Sequence, residues 1–457
     1  MEELRSGRRL VSQRPPRSDG HGDGIDRISG LPDDLLLGVL ARLRCARAAA
    51  HTSLLSRRWR GLWRQLPELT FRKVAPDALL AALAQVARTE LSLLDIDVHE
   101  GHRFSPSGVA ALLRIAARLA PSELRLIVWG LSEDRETAVE VPRFHRTTSI
   151  KLCVWNLYLA LPDYKQGSAF PVLERLSVEG CVVNVGALIL QCPQLRVLEV
   201  CSCSGVGTLR VRSTTIENLD VQDVWLGGVD IVAPALKRFT LSSYSDCSFS
   251  LSFSAPIVKN LYWSCGFDPS FHGISELWSM SGMHVELKER VNLLCLDIDA
   301  QESKKDANLM QKIAQFPDFS AMKLYLATSG HAYGAMVFNL LGLCTAIKTL
   351  KIVMRQLQFR KPCPPFCPCD QPDNWRSEII SLDFLEEVEI EGFQGAVYEV
   401  DFFKHIFRCA PMLKVIIIRL SDEASRKGCK KIYHMFKACP SLKWYFYRNC
   451  GEQVSYA

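Results

Sequence analysis

The chain has 457 residues, of which 48% are hydrophobic and 23% are charged, a balance that is typical of a folded protein and excludes a wholly disordered one. The net charge of +6 is small for this length and does not indicate nucleic-acid binding. No apolar run reaches the roughly 18 residues of a membrane-spanning helix, so we expect no membrane contact.

Residues 1–24 are rich in basic residues, proline and glycine and lack the apolar segment of a secretory signal, so we expect a disordered lead. The 17 cysteines are an odd number in a chain without such a signal, which favours reduced thiols over a disulfide framework. We therefore expect an intracellular protein, in the nucleus, the cytoplasm or both.

Residues 28–66 contain three short amphipathic helical patterns. The first opens at Leu31 and Pro32, and its apolar side chains recur at helical spacing: Leu35, Leu36, Val39, Leu40 and Leu43. Ser56 can cap a last helix, on which apolar residues repeat at i, i+3, i+4 and i+7: Trp59, Leu62, Trp63 and Leu66. This unit has more apolar surface than its size can bury, so the sequence predicts that it docks on a partner.

From about residue 70 onward, one short pattern keeps returning. Leu173-x-x-Leu176-x-Val178-x-x-Cys181 recurs about 22 residues later as Leu195-x-x-Leu198-x-Val200-x-x-Cys203, a period typical of leucine-rich repeats. Looser copies follow, among them Val258/Leu261/Trp263, Val291/Leu294/Leu296 and, last, Leu442/Tyr445/Tyr447. Cys181, Cys203 and Cys450 fall where such repeats place a buried Asn or Cys.

Each copy reads as a short strand whose alternate residues point inward, and only stacking of many copies closes a core. The sequence therefore predicts an α/β fold: a small three-helix unit, then a horseshoe-shaped solenoid with parallel strands on its concave face. An ordinary α/β domain is the alternative. Connections such as Ser202–Ser213 are too short and polar for the crossover helices that it needs.

Residues 361–375 form a cysteine- and proline-rich insert, which we expect to be a surface loop because proline excludes helix and central strand. Cys363, Cys367 and Cys369 could suggest zinc, but the sequence offers no fourth ligand at standard spacing and no paired histidine, so no metal site is expected. Phosphate-loop, dinucleotide, zinc-protease and nucleophile-elbow motifs are absent from the sequence. We expect no catalytic or cofactor-binding residues and no enzyme activity.

Two stretches carry a family resemblance. The Leu31-Pro32 opening, the leucine stripe after it and the close from Thr52 to Trp63 resemble a plant F-box, although Arg44-Cys45-Ala46-Arg47 stands where plant members often have an acidic residue. From Trp375 to about Cys450 the chain resembles the FBD segment of plant F-box proteins with leucine-rich repeats. The expected domains are residues 1–24 (lead), 25–70 (F-box), 71–374 (repeats) and 375–450 (FBD-like continuation).

The resemblance implies the substrate-recognition subunit of an SCF-type ubiquitin ligase. Its F-box would bind a Skp-family adaptor, which leads to cullin and RING subunits, and its repeats would bind an unknown protein substrate. The matching adaptor-binding positions are Leu31, Pro32, Leu35, Leu36, Val39, Leu40, Leu54, Leu55, Trp59 and Trp63. We expect Leu31, Pro32, Leu36 and Trp59 to be the anchors.

Two other functions stay open. One is an F-box scaffold that binds proteins without recruiting cullin. The other is a small-molecule co-receptor, which ranks lowest because it needs a basic pocket and no Lys/Arg cluster is evident on neighbouring strands.

Strand residues that alternate with the inward ones form the candidate substrate face. They are Arg175, Glu179, Glu199, Asp220, Arg238, Glu387, Glu389 and Glu391. The last three predict an acidic stripe that favours a basic partner segment, or else a face that is merely solvated.

Overall fold

The computed structural model of the chain describes residues 28, 30–98, 104–129, 138–162, 167–245, 249–268, 274, 277–288, 291–301, 319–355, 363, 367–370 and 373–454. The expected lead, residues 1–24, and part of the cysteine- and proline-rich insert lie outside these residues. No helix within the described ranges combines the length and the apolar character that crossing a membrane requires.

The N-terminal unit has two α-helices, α1 (Asp33–Ala41) and α2 (Ala46–His51), with Pro32 as the residue that precedes the first turn. The predicted last helix is wrong. Two 3₁₀ turns, Arg57–Trp59 and Leu62–Gln65, take its place, because Gly61 between them has a left-handed backbone with φ of 81°. The four predicted apolar residues of this segment are nevertheless all buried.

A long and mostly parallel sheet follows. In order across the sheet, its strands are β1 (Glu68–Arg72), β2 (Leu93–Val98), β3 (Glu123–Val128), β5 (Ser149–Val154), β7 (Arg175–Glu179), β8 (Val197–Cys201), β10 (Asn218–Val232), β11 (Arg238–Ser245), β13 (Asn260–Phe267), β14 (Trp278–Lys288), β15 (Val291–Ala300), β16 (Ala321–Ala327), β17 (Thr349–Met354), β18 (Glu387–Phe393), β19 (Val415–Leu420) and β20 (Lys443–Tyr447). This arrangement confirms the predicted fold class.

One strand interrupts the parallel order. β14 pairs antiparallel with β13 on one side and with β15 on the other. Lys288 and Val291 are too close in sequence for the crossover that a parallel connection needs, so the two strands can only pair antiparallel. The repeat pattern predicts successive copies at Leu261 and Leu294 and does not predict this strand between them.

Shorter elements lie beside the main sheet. β10 changes register between Val221 and Val224, where Asp223 has φ of 52°, and its second half pairs with two other strands. The remaining strands are β4 (Ala138–Glu140), β6 (Tyr158–Ala160), β9 (Gly207–Arg212) and β12 (Ser250–Ser254). The remaining helices are α3 (Pro76–Ala84), α4 (Pro106–Leu119), α5 (Val185–Leu190), α6 (Gly334–Leu343), α7 (Val397–Cys409) and α8 (Arg426–Lys437).

The predicted inward residues form the core. Leu176 pairs with Leu198 across the ladder, and Val178 pairs with Val200, and all four are buried. Cys181 and Cys203 are buried in the next turn, as the repeat pattern predicted, and their sulfurs lie 3.6 Å apart. The division into domains stays a prediction, and β1 begins two residues before the expected boundary at residue 70.

Two predictions about the last repeat are wrong. Trp444 and Phe446, not Tyr445 and Tyr447, align with the buried Ile416 and Ile418 of β19. The spacing after Leu442 is one residue shorter than in other copies, and a shift of one residue moves a strand's side chains to the opposite face. Cys450 is exposed, because it lies in the turn after this final strand.

Candidate functional site

Helix α1 presents two different apolar faces. Leu36 and Leu40 are buried within the protein, whereas Leu35, Val39 and Leu43 are exposed. Within each set the helical residues are four positions apart, so the two sets form adjacent stripes along the helix, and Leu43 follows in the turn after it. The single stripe that the sequence suggested is therefore divided between the protein's own core and its surface.

The 3₁₀ turn Thr52–Leu54 after α2, together with the next residue, adds two more exposed leucines. Leu54 is 84% exposed and Leu55 is 69% exposed, which is unusual for side chains of this size in a short turn. Arg58 ties this segment to α1, since its guanidinium lies 2.8 Å from the Asp33 carboxylate and also donates to the Leu31 carbonyl. We call Leu35, Val39, Leu43, Leu54 and Leu55 the N-terminal apolar surface.

Burial corrects the expected choice of anchors. Leu36 and Trp59 are buried against their own chain, and so are Leu40 and Trp63, so none of these four is available to a partner. Pro32 is exposed and Leu31 is half-buried. The large side chains hold the small unit together, because a unit of this size needs them in its core.

The open face of the sheet, formed by strand residues that alternate with the core residues, holds a hollow of about 470 Å³ near its N-terminal end. Its charged lining residues are Arg72, Asp95, Glu123, Arg125, Lys151, Arg175 and Glu199. Two predicted substrate-face residues, Arg175 and Glu199, are thus brought together on neighbouring strands. The others lie elsewhere on this sheet: Glu179 hydrogen-bonds the Cys153 thiol, Asp220 accepts from Gln222 at 2.9 Å, and Arg238 is exposed.

Some of the charged side chains that line this hollow form ion pairs, and others do not. Arg72 pairs with Asp95 at 2.5 Å and Arg125 pairs with Glu123 at 2.6 Å. Lys151 and Arg175 form no ion pair with any residue that the structure describes. Because Arg125 lies directly opposite Lys151 in the ladder, basic residues do cluster on neighbouring strands, and the expectation that they do not is wrong.

Two of the three glutamates of the predicted acidic stripe on β18 already form ion pairs within the chain. Glu389 lies 3.1 Å from Lys351 and 2.9 Å from Arg419, and Glu391 lies 3.3 Å from Lys351. Glu387, Glu389 and Glu391 do share one strand face, as alternation predicted. The expectation that this stripe attracts a basic partner is nevertheless corrected, because the basic side chains of the adjacent strands occupy that role.

The ion pairs of Glu389 with Lys351 and Arg419 make the stability of the folded state sensitive to acid. Burial by itself would raise the pKa of the Glu389 carboxyl, but the hydrogen bonds and charges of Arg419 and Lys351 outweigh it and hold the pKa below its ordinary value of 4.5. A carboxyl with a lowered pKa in the folded state stabilises the fold fully above its ordinary pKa. That contribution is lost as the pH falls below 4.5 and through the folded-state pKa.

We expect the substitution Glu389→Gln to lower the free energy of unfolding at pH 7 by roughly 1–2 kcal/mol, because Arg419 loses its ion pair and Lys351 keeps only the one with Glu391. The variant should also lose less stability than the wild type between neutral pH and pH 4. Chemical unfolding at several pH values measures both effects. Glu387→Gln, on the same strand but without an ion pair among the described residues, is the control, and an equal effect there would contradict the assignment.

The structure also brings a fourth metal-ligating side chain to the cysteines of the insert. His331, which lies 32 residues before Cys363, has its Nδ1 atom 3.3 Å from the Cys363 sulfur and 3.2 Å from the Cys367 sulfur. This histidine was not predicted as a ligand, because its spacing matches no zinc motif. A search that allowed one distant ligand beside the three cysteines could have found it.

The chain is similar to several plant proteins. Residues 109–261 match the sequence model of the leucine-rich repeats of FBD-associated F-box protein At5g56370. F-box protein At1g67390 of Arabidopsis thaliana is 29% identical over 50% of this chain and 52% of its own length. F-box/FBD/LRR-repeat protein At2g04230 of Arabidopsis thaliana is 29% identical over 48% of this chain and 54% of its own length.

A third relative is matched more fully. FBD-associated F-box protein At5g56820 of Arabidopsis thaliana is 24% identical over 88% of both chains. No solved structure matches this chain significantly. The chain thus spans about half the length of the first two relatives and most of the third. Neither the matched sequence model nor the names of these relatives indicate a catalytic family. The resemblance of this chain to plant F-box proteins with leucine-rich repeats and an FBD segment is therefore confirmed.

Proposed function

We propose that this chain is the substrate-recognition subunit of an SCF-type ubiquitin ligase. In this proposal the N-terminal apolar surface binds a Skp-family adaptor, and the open face of the sheet binds a protein substrate. One observation carries the proposal. The N-terminal unit closes its own core with Leu36, Leu40, Trp59 and Trp63, and still leaves five large aliphatic side chains exposed.

Contact of those five apolar side chains with water is unfavourable in free energy, and burial against a partner removes it. Complete burial of one leucine contributes roughly 1.5–3 kcal/mol, and association itself costs at least about 4 kcal/mol. Several leucines buried together can therefore sustain a stable complex, whereas a single one cannot. Leu54 and Leu55 are the most exposed of the set, so we infer that they are the principal anchors.

The role of the chain in ubiquitin transfer is positioning. We propose that the adaptor and cullin hold the activated ubiquitin at a fixed distance, while this chain holds the substrate and so raises its effective concentration there. Its own residues take no part in bond formation. Such a complex would act in the nucleus or the cytoplasm, where we propose that the protein is located.

Reconstitution tests this function. The purified chain, a Skp-family adaptor, a cullin and a RING subunit are mixed and separated by size-exclusion chromatography. We expect all four to elute as one complex. We also expect that complex to support ubiquitination of the bound substrate only when cullin is present. If the chain elutes with the adaptor but cullin never joins, the alternative function of a cullin-free scaffold is favoured. If even the adaptor elutes separately, the proposed ligase function is contradicted.

The hollow on the open face is the proposed substrate contact. Lys151 and Arg175 line it without ion-pair partners among the described residues, so they suit an acidic group on the substrate. We expect the double substitution Lys151→Glu/Arg175→Glu to abolish recovery of substrates in affinity purification under proteasome inhibition, while adaptor binding stays unchanged. Lys237→Glu/Lys259→Glu, at exposed positions outside this hollow, is the charge-matched control. Equal recovery of substrates by the Lys151/Arg175 variant and the wild type would contradict this assignment.

A further inference from the structure

Four metal-ligating side chains meet beside the start of helix α6. Cys363, Cys367 and Cys369 come from the cysteine- and proline-rich insert, and His331 comes from the turn before the helix. The four ligand atoms all lie within 4.8 Å of one another. This is the one such group among the residues that the structure describes, and the proposed function makes no use of it.

The distances suit a tetrahedral ion. Zinc binds thiolate sulfur at about 2.3 Å and imidazole nitrogen at about 2.0 Å, so tetrahedral angles place two sulfurs about 3.8 Å apart and a sulfur and a nitrogen about 3.5 Å apart. The Cys363 and Cys369 sulfurs are 3.6 Å apart. The His331 Nδ1 atom lies 3.3 Å and 3.2 Å from the Cys363 and Cys367 sulfurs. We propose that His331, Cys363, Cys367 and Cys369 hold one structural zinc ion.

The chemistry of the four ligand atoms favours zinc over other metal ions. Three thiolates and one imidazole match structural zinc sites, whereas calcium and magnesium require oxygen ligands. A disulfide is the alternative for two of the cysteines. The sulfur separation of 3.6 Å between Cys363 and Cys369 is far from the roughly 2.05 Å of a covalent bond, and a disulfide would leave the third thiol and the imidazole without a role.

The surroundings hold the ligands in place. The backbone amide of Ala332 hydrogen-bonds the Cys369 sulfur, which is the kind of outer contact that orients metal-bound thiolates. The His331 amide donates to the Thr328 carbonyl at 2.8 Å, which fixes the turn that presents the imidazole. Downstream, Trp375 is buried and stacks on Phe338 of α6 at 5.3 Å.

The ion would therefore fasten the insert to the solenoid. Its three cysteines lie in a segment whose sequence has few apolar residues to bury, and its prolines lack the N–H group that a strand ladder needs. A closed site with four protein ligands supplies the missing stabilisation, as structural zinc does in other small, loop-rich segments. The FBD-like segment begins directly after this point, so the ion would set how that segment enters the sheet.

Metal analysis of the full chain tests the proposal. We expect one zinc ion per chain after purification without chelators, and loss of that zinc in Cys363→Ser, Cys367→Ser and His331→Ala. Cys450→Ser, which removes an exposed thiol outside the group, is the matched control and should keep the zinc. Adaptor binding does not enter this measurement, so it can fail or succeed independently of the proposed function.

A second measurement covers the case in which the variants fail to fold. Cobalt(II) replaces zinc in the wild-type chain, and thiolate coordination then gives strong charge-transfer absorption together with the intense visible bands of tetrahedral cobalt. The proposal is overturned if the reduced wild-type chain binds neither zinc nor cobalt. It is equally overturned if the cysteine variants keep their zinc, or if a disulfide within the insert is found in the freshly purified protein.

Discussion

Replacing Leu54 with aspartate should abolish stable binding of this chain to a Skp-family adaptor. Leu54 is the most exposed of the five residues of the N-terminal apolar surface, so in the proposed complex it loses the most contact with water. Loss of a buried aliphatic anchor costs about 2 kcal/mol or more, and the new carboxylate would have to be desolvated as well. We expect the Kd, measured by isothermal titration calorimetry, to rise at least about thirty-fold.

The control for this prediction is Leu190→Asp. Leu190 is also a highly exposed leucine, but it lies at the end of α5 in the repeats, far along the chain from α1. Its substitution introduces the same charge and should leave adaptor binding unchanged. Equal weakening by both substitutions would mean that the charge acts nonspecifically, and no weakening by Leu54→Asp would remove Leu54 from the interface.

The two faces of α1 predict opposite outcomes for neighbouring leucines. Leu36 is completely buried, so Leu36→Ala should lower the free energy of unfolding of the N-terminal unit by about 2–5 kcal/mol. Leu35 is exposed, so Leu35→Ala should cost little stability and instead weaken adaptor binding. Hydrogen exchange at the α1 amides measures local stability, and calorimetry measures binding.

This pair is its own matched control, since both substitutions remove the same atoms from adjacent positions of one helix. The interpretation of α1 requires the stability loss to appear only in Leu36→Ala. A larger stability loss in Leu35→Ala than in Leu36→Ala would mean that the assignment of the two faces is reversed.

The sequence was most informative where a short pattern repeats. Leu176, Val178, Leu198 and Val200 were assigned correctly, because strand alternation and a regular period both constrain them. The final copy was shifted by one residue, since an aromatic residue stands at every position from Trp444 to Tyr447 and alternation gives no guide there. Strand β14 was missed because Gly282 stands where the pattern that Leu277 and Met280 would begin needs an aliphatic residue.

Two features of the site could not be predicted from the sequence. On α1, five apolar residues lie within nine positions, so periodicity cannot decide which of them face the core and which face solvent. Burial in the folded chain decides it, and thereby moves the expected anchors from Leu36 and Trp59 to the exposed leucines. His331 is a lone histidine in the sequence, and only the fold places it against cysteines that follow 32 residues later.

Hydrogen–deuterium exchange of the chain with and without a Skp-family adaptor tests the central claim most directly. We predict that the adaptor slows exchange at the amides of α1 and of the Thr52–Leu55 turn, while exchange in the strands of the sheet stays unchanged. Absence of slowed exchange in these two segments at saturating adaptor, or slowing confined to the sheet, would contradict the account.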